Sequence, residues 1–307
     1  MTTYLPAVSI GIPFYNAGDD LQNAIKSVFA QTHQNWELIL IDDGSEDHSL
    51  EIARSIDDPR VRVFSDGQNR RLASRLNEIV RLAKYDFIAR MDADDLIAPD
   101  RIARQLQLLV EKPNIDVVSC GVYSLDNSNR VVGRRCVSDN HKITTAGLLN
   151  GSCGIVNGAL VARRAWFRRN PYDETLFKSE DANLWLRSYA RDDLNVVIMP
   201  DPLYFYREDN NISEDKILRA YAEIRRSIRK DAYPRFRLSE RISIYLKSLM
   251  KSQIVWLLAR TGRLDTLRRR RIAQPINTVE QANVSETIQK ILDFNLPAKE
   301  PTSRPQT

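Results

Sequence analysis

The sequence predicts an α/β fold, a layered sheet followed by a helical C-terminal region, on three observations. Short apolar runs with strand chemistry alternate with helical spacings through the first 118 residues. Acidic and polar clusters stand directly after three of those runs, where the strands of such a sheet end. From residue 214 to about 271 the pattern is helical almost throughout, with breaks near Pro234 and Gly262.

Val8-Ser9-Ile10-Gly11-Ile12 reads as the first strand, and Asn16 is placed to cap a helix with Leu21, Ile25, Val28 and Phe29 on one side. Leu38-Ile39-Leu40-Ile41 is a second, fully buried strand, stopped by Asp42-Asp43-Gly44-Ser45. A helix over about 46–56, the strand Val61–Phe64, a helix near 72–83 and the strand Phe87–Met91 follow. The next helix shows Ile102, Leu106 and Leu109 on one face, and Val117-Val118 starts another strand. This order predicts a largely parallel sheet with right-handed connections. The stretch 120–213 is more mixed. Val131-Val132 and Cys136-Val137 suggest a hairpin around Gly133, Ala159–Val161 and Val196–Met199 suggest strands, and 180–190 a helix. Residues 295–307 carry three prolines among polar residues and are expected to form a disordered tail.

Of 307 residues, 43% are hydrophobic and 28% charged, which excludes wholesale disorder and supplies a sizeable core. The three cysteines, Cys120, Cys136 and Cys153, are odd in number and share no metal-ligand spacing. That argues against a disulfide scaffold or zinc module and for a reducing, cytoplasmic setting. His33, His48 and His141 are scattered, so a histidine metal centre is not expected. Residues 1–20 show no basic start followed by an apolar run, and no secretory signal is expected. The net charge of +5 is uneven: −5 over residues 1–213, +11 over 214–271 and −1 over 272–307. An acidic body thus carries a basic segment, either a solvated helical face or a surface for an anionic partner.

Asp92, Asp94 and Asp95 lie within four residues. Carboxylates about 4–6 Å apart repel by on the order of 1–4 kcal/mol, and a divalent cation would reverse that sign. Hard oxygen ligands suit Mg²⁺ or Mn²⁺. A helix cap would need only one of the three. Asp42-Asp43-Gly44-Ser45 is either a plain turn or a set of acceptors for a base or ribose, and Pro13 and Tyr15 either end a strand or flank a ligand. There is no Gly-x-Gly-x-x-Gly after the first strand and no P-loop, so phosphate charge would have to be met by a metal and basic side chains. Glu180 and Asp181 open a helix, where acids are ordinary dipole partners, or else Asp181 is a general base. Arg207 is either a surface arginine or a forked phosphate ligand.

Pro-Phe-Tyr-Asn at 13–16, Asp-Asp-Gly-Ser at 42–45, Arg-Met-Asp-Ala-Asp-Asp at 90–95, Glu-Asp at 180–181 with Trp185, and Tyr-Arg at 206–207 followed by Ser213 occur in order over about 8–213. This set resembles the family 2 glycosyltransferases of the bacterial surface-polysaccharide type. The resemblance implies a GT-A fold, with a Rossmann-like nucleotide-binding half (1–118) of mixed sheet and an acceptor half (119–213), ahead of a basic helical region (214–294). It implies an inverting, metal-dependent hexosyltransferase that moves a sugar from a nucleotide-diphosphate donor to a hydroxyl of a glycan acceptor, lipid-linked in the polysaccharide setting. By position, Asp92 and Asp94 would sit at ribose, diphosphate and the divalent cation, Mg²⁺ or Mn²⁺. Pro13, Tyr15, Asp42 and Asn69 would surround the nucleoside, Arg207 and Ser213 would touch the diphosphate, and Asp181 would be the base. The family often has Asn-x-Gly where Asn69-Arg70-Arg71 stands, and a histidine where Glu208-Asp209-Asn210 follows Tyr-Arg.

In the C-terminal segment Ile242, Tyr245, Leu246, Leu249 and Met250 share one helical side and Lys247 and Lys251 the other. This is the pattern of an interfacial helix at the inner face of the cytoplasmic membrane, strengthened by the four arginines 268–271, or of a helix packed on the catalytic domain or a twin subunit. Competing readings are a nucleotidyltransferase, which would bring a glycine-rich loop, and a silent nucleotide-binding scaffold. Nucleic-acid binding is disfavoured.

Overall fold

Leu38 and Leu40 pack into one core, Ile39 and Ile41 into another, and all four are fully buried. A strand apolar on both faces belongs in the middle of a sheet covered on both sides. The computed structural model, which describes residues 4–138, 141–208, 213–264 and 274–299, shows that arrangement. The strands are β1 (Val8–Phe14), β2 (Trp36–Asp42), β3 (Val61–Ser65), β4 (Phe87–Arg90), β5 (Leu96–Ile97), β6 (Val117–Leu125), β7 (Val131–Arg135), β8 (Val161–Arg163) and β9 (Val196–Arg207). Their order is β3-β2-β1-β4-β8-β6-β9-β5, with β7 beside the end of β6. Strands β1 to β4 are parallel to one another, whereas β8 runs antiparallel to β4 and β6, β5 runs antiparallel to β9, and β6 and β9 are parallel. The sheet is therefore mixed, and its two halves meet at β4 and β8.

Helices α1 (Gly18–Phe29) and α4 (Arg101–Glu111) cover one face, and α10 (Thr278–Leu292) joins them through Val284, Ile288 and Ile291. The other face holds α3 (Arg71–Leu82), α5 (Thr145–Leu149), α6 (Arg164–Arg169), α7 (Glu180–Ala190), α8 (Glu214–Asp231) and α9 (Leu238–Arg260). Short α2 (Ser49–Ser55) lies against α1. Gly11 decides how closely α3 approaches β1: a Cβ there would stand 2.4 Å from Ile79 Cγ2, far inside contact distance.

Some expectations are corrected. Gly133 is not a hairpin turn but lies inside β7; the turn is 126–130, where Asp126 Oδ1 accepts from the N–H of Ser128 (2.8 Å) and Arg130 (3.0 Å). That aspartate turn chemistry outweighs the glycine signal. Asn16 does not cap α1; its φ is +48° and its side chain accepts from Glu46 N–H at 2.8 Å. The tail expected to be disordered from 295 is ordered through 299, because Asp57 N–H donates to Pro297 O (2.9 Å) and Lys299 N–H to Ser55 O (2.9 Å). Residues 300–307 and the arginines 268–271 lie outside the described residues.

The stretch from 214 onward is not set apart from the rest. Glu223 of α8 accepts from the backbone N–H groups of Phe177 (3.1 Å), Lys178 (2.9 Å) and Ser179 (3.1 Å), so it fixes the approach to α7. Glu280 of α10 accepts from Tyr123 Oη at 3.0 Å and pairs with Arg134 at 2.9 Å.

Candidate active site

β1 leaves the sheet through Pro13-Phe14-Tyr15, and β2 leaves it at Asp42. The two exits are tied together. Asn16 N–H donates to Ser45 Oγ (3.1 Å), and the N–H groups of Ala17 and Gly18 converge on Ser49 Oγ (2.9 and 2.8 Å). Asp42 is 1% exposed, and its two oxygens accept from Ser45 N–H (2.9 Å) and Ser65 Oγ (2.8 Å). Asp43 accepts from the backbone N–H of Arg70 (2.7 Å) and Arg71 (3.0 Å) and from Arg75 Nε (2.8 Å). Arg75, buried in α3, also pairs with Asp66 (2.6 Å) and Glu78 (2.8 Å). This network sets the 66–71 loop that presents Asn69. Removing one member of such a buried pair costs about 3–5 kcal/mol because the other is stranded.

Arg71 has φ +72°, the left-handed region that glycine enters freely and other L-residues enter at a cost of roughly 1–2 kcal/mol. The sequence places an arginine where the related pattern has glycine, and the backbone keeps the glycine's conformation. Asp43 holds the strained N–H, and the guanidinium lies 3.5 Å from the Phe177 ring centroid. Arg219 of α8 stands 4.9 Å from the same ring.

At the end of β4, Arg90 is 5% exposed and grips Asp92 with both nitrogens, Nη2 to Oδ1 at 2.7 Å and Nη1 to Oδ2 at 3.2 Å. Asp92 N–H donates to Tyr204 Oη (3.1 Å), which donates to Asp95 Oδ2 (2.7 Å). Asp95 Oδ1 accepts from Arg207 N–H (2.7 Å). The Arg207 guanidinium donates to Asp94 O (2.9 Å) and Asn129 Oδ1 (2.8 Å) and pairs with Asp20 (2.9 Å). Register explains this: Leu96 and Ile97 pair with Phe205 and Tyr204, so the end of β9 runs beneath the acidic loop. Asp94 is pushed up to about 6, first by burial and then by the charge of Asp92. Gly158 is needed here, since a Cβ would stand 2.6 Å from Tyr204 Oη and 2.9 Å from Asp92 Oδ2.

Glu180 and Asp181 form the first turn of α7. Asp181 Oδ1 accepts from Ala182 N–H at 2.6 Å, and burial raises its pKa, with Arg90 pulling it back. Glu180 is pushed up to about 7 by burial and then by the charge of Asp181. Its Oε2 is buried and has no hydrogen-bond partner among the described residues. Trp185 packs below, its ring stacked 5.9 Å from that of Trp166.

Two adjoining hollows open here and share Pro13, Phe14 and Tyr15. One, of about 600 Å³, is lined by Asp20, Asp92, Asp94, Asn127 and Arg207; the other, of about 400 Å³, by Asp43, Asn69, Arg71, Phe177, Lys178 and Glu180, among others. Both volumes suit a small ligand. Of the residues singled out from sequence, Pro13, Tyr15, Asp92, Asp94 and Arg207 line the larger hollow, and Pro13, Tyr15 and Asn69 the smaller. Asp42, Asp181 and Ser213 line neither hollow, although Glu180, next to Asp181, lines the smaller one. Ser213 is the N-cap of α8, accepting from Lys216 N–H at 3.3 Å. Asp181 shares an electrostatic neighbourhood with Asp92 through Arg90. Sequence reasoning missed the roles of Asp20, Asp43, Arg75, Arg90, Glu180 and Tyr204. Asp43, Arg90 and Glu180 carried a signal, as members of the motifs at 42–45, 90–95 and 180–181.

Two outcomes follow from this geometry. Arg71→Gly and Arg71→Ala remove the same ring contact but differ in backbone freedom, so the Gly variant should be more stable than the Ala variant by about 1 kcal/mol in urea unfolding; equal stabilities would contradict the strained assignment. Glu180 has a folded pKa above its ordinary value, so its contribution is fully present below about 4.5 and is lost as pH rises through about 7. Glu180→Gln should therefore melt like the parent near pH 4.5 and roughly 2–6 °C higher at pH 8. A pH-independent gap would contradict the burial.

The comparisons with known proteins follow the same outline. Residues 9–175 match the family model described as Glycosyl transferase family 2. The glycosyltransferase EpsE of Bacillus subtilis is 30% identical over 212 residues, 67% of this chain and 74% of EpsE. WfgD of Escherichia coli, described as a UDP-Glc:α-D-GlcNAc-diphosphoundecaprenol β-1,3-glucosyltransferase, is 31% identical over 64% of this chain and 74% of its own. Among solved structures, S. aureus TarS 1–349 in complex with UDP superposes with TM-score 0.58 at 16% identity, covering 93% of this chain and 80% of TarS. The mannosyltransferase PcManGT of Pyrobaculum calidifontis, in complex with GDP-Man and Mn²⁺, gives 0.57 at 16%, covering 95% and 88%. The fold is GT-A, and the chain belongs to glycosyl transferase family 2.

Proposed function

We propose that the chain transfers a hexose from a nucleotide-diphosphate sugar to a hydroxyl of a lipid-linked glycan acceptor, with inversion, in polysaccharide biosynthesis at the inner face of the cytoplasmic membrane. The observation that carries this reading is the pair of hollows at the strand ends that share Pro13–Tyr15, one lined by the acidic pair Asp92 and Asp94 and the other by Asn69. WfgD, named for a UDP-glucose donor and a diphosphoundecaprenol acceptor, supports the donor and acceptor classes. So do the complexes of TarS with UDP-GlcNAc and of PcManGT with GDP-Man.

In this reading Pro13, Tyr15 and Asn69 flank the nucleoside. Asp42 is turned to Ser45 and Ser65 and lines neither hollow, whereas Asp43 lines the smaller one. The residues fit a divalent cation, Mg²⁺ or Mn²⁺. Asp94 is a half-buried hard-oxygen donor whose pKa is raised first by desolvation and then by the charge of Asp92, and it lines the larger hollow. Asp92 stands beside it, but both its oxygens are held by Arg90. No cluster of three or more His, Cys, Asp or Glu that could hold a metal occurs among the described residues, so Asp94, with Asp92, would share the ion with substrate phosphates and water. A cation bound there would neutralise the departing diphosphate. Arg207 lines that hollow and would meet the diphosphate by exchanging its pairing with Asp20. Ser213 accepts from Lys216 N–H as the cap of α8 and keeps its hydroxyl hydrogen to donate, but it lines neither hollow.

Asp181 acts as base. The acceptor hydroxyl gives its proton to the carboxylate as its oxygen bonds to the sugar C1, the C1–O bond to phosphate breaks, and the nucleoside diphosphate leaves with the electron pair. Attack opposite the leaving group inverts C1. Burial keeps Asp181 more basic than an ordinary aspartate, while the N–H groups at the start of α7 and Arg90 pull in the other direction. Asp181→Asn should lower transfer by about 10²–10⁴-fold while nucleotide binding changes less than about threefold. Steady-state transfer and calorimetric binding of UDP, GDP and dTDP check it; wild-type turnover by the variant would remove Asp181 from the role.

A further inference from the structure

Helix α9 has two apolar faces, and only one is covered by the described residues. Ile244 belongs to the core, and Arg225 of α8 donates to Ser248 Oγ (3.1 Å) and Ser252 Oγ (2.9 Å). Those bonds fix the helix's rotation about its axis. On the opposite side Leu238, Ile242, Leu246, Met250, Ile254 and Leu257 follow one another at steps of four or three, each between 51 and 66% exposed. This is one unbroken stripe along the whole 23-residue helix, not scattered surface leucines.

Charge decides what covers it. Lys247 and Lys251 are exposed along one flank of the stripe. Arg237 precedes the helix, and Arg260 closes it with its guanidinium 4.0 Å from the ring centroid of exposed Trp256. Glu240 is the only acid in 238–260 and is engaged with Thr145 Oγ1 (3.1 Å) and Arg237 N–H (3.2 Å). A second copy would bring like charge against like charge across a two-fold axis. A bilayer with anionic headgroups takes both parts at once, the stripe among the upper acyl carbons and the lysines among the phosphates, with Trp256 at headgroup level. No described helix is long and apolar enough to cross a membrane, so contact of this kind lies in the plane of the surface.

We infer that the exposed stripe of α9 is a docking face for an anionic bilayer. Its position deepens the lipid-linked acceptor reading, on which the following step rests. Glu240 bonds α9 to α5, and Gly151 just after α5 lies against Ala182, the residue after the proposed base. The docked helix thus connects through two contacts to the start of α7, where a lipid-borne hydroxyl must arrive.

The test is flotation of the full chain with vesicles of phosphatidylcholine alone or mixed with phosphatidylglycerol, at low and high salt. Donor hydrolysis is assayed on the same preparations. The chain should float with the mixed vesicles and be weakened by salt. Leu246→Glu combined with Met250→Glu should cut partitioning at least about tenfold, and Lys247→Gln with Lys251→Gln should cut the preference for anionic vesicles about tenfold, with hydrolysis unchanged in both. Hydrolysis without flotation overturns the docking face and leaves the transferase reading standing. Flotation without hydrolysis does the reverse. Equal flotation of the Leu246→Glu/Met250→Glu variant, or a dimer in sedimentation that this variant splits while the parent fails to float, also overturns it.

Discussion

Asp20, Asp92, Asp94 and Asp95 crowd one end of the sheet, and two buried arginines make that arrangement tolerable. Arg90 and Arg207 are 5 and 7% exposed, and each reaches the acidic loop from a different strand. Arg90 clamps Asp92 in a two-nitrogen grip, while Arg207 holds the backbone of Asp94 and the carboxylate of Asp20. Between them Asp95 and Tyr204 form a fixed bridge. At short range carboxylates repel, and burial sharpens the repulsion. Without the arginines the loop would open outward or take up protons. With them it presents Asp92 and Asp94 to the larger hollow as a preset anionic pair.

Much of this was legible in the chain. The strand-and-helix alternation gave β1 to β4 their places, and helix α7 spans the range expected from its pattern, 180–190. The motifs at 13–16, 42–45 and 90–95 do meet on one rim, as parallel strands require, and the family and fold they resemble are those found. What stayed hidden depends on pairing between distant segments. Tyr204 reaches Asp95 only because β9 lies beside β5, a two-residue strand with no periodicity to read. Asp20 reads as an ordinary first-turn acid until Arg207 is set against it. Glu223 looks like one more charge on a basic helix, yet it closes the turn that leads to Asp181. The local pattern points to a turn at Gly133, whereas pairing with β6 keeps that glycine inside a strand and Asp126 makes the turn.

The charge step at residue 214 marks composition, not independence. Helix α8 fixes the approach to α7, and α10 returns to bury Val284, Ile288 and Ile291 beside α1, at roughly 1.5–3 kcal/mol for each such side chain. Lys247, Lys251 and Arg260 of α9 face outward from this frame, whereas Arg241 turns back to Arg229 O on α8. Arg71 shows a similar economy: a side chain replaces glycine, yet the loop keeps the glycine's backbone, held by Asp43 and by the ring of Phe177.

The claim at the centre is that Arg90 sets the acidic pair for donor binding. Isothermal titration of UDP, GDP and dTDP with Mn²⁺ into the parent chain and into Arg90→Lys, which keeps the charge but not the two-nitrogen grip, addresses it directly. The account predicts that the nucleotide bound by the parent binds the variant about 10–100-fold more weakly, with the melting transition still cooperative. Equal affinity in a folded variant would contradict it.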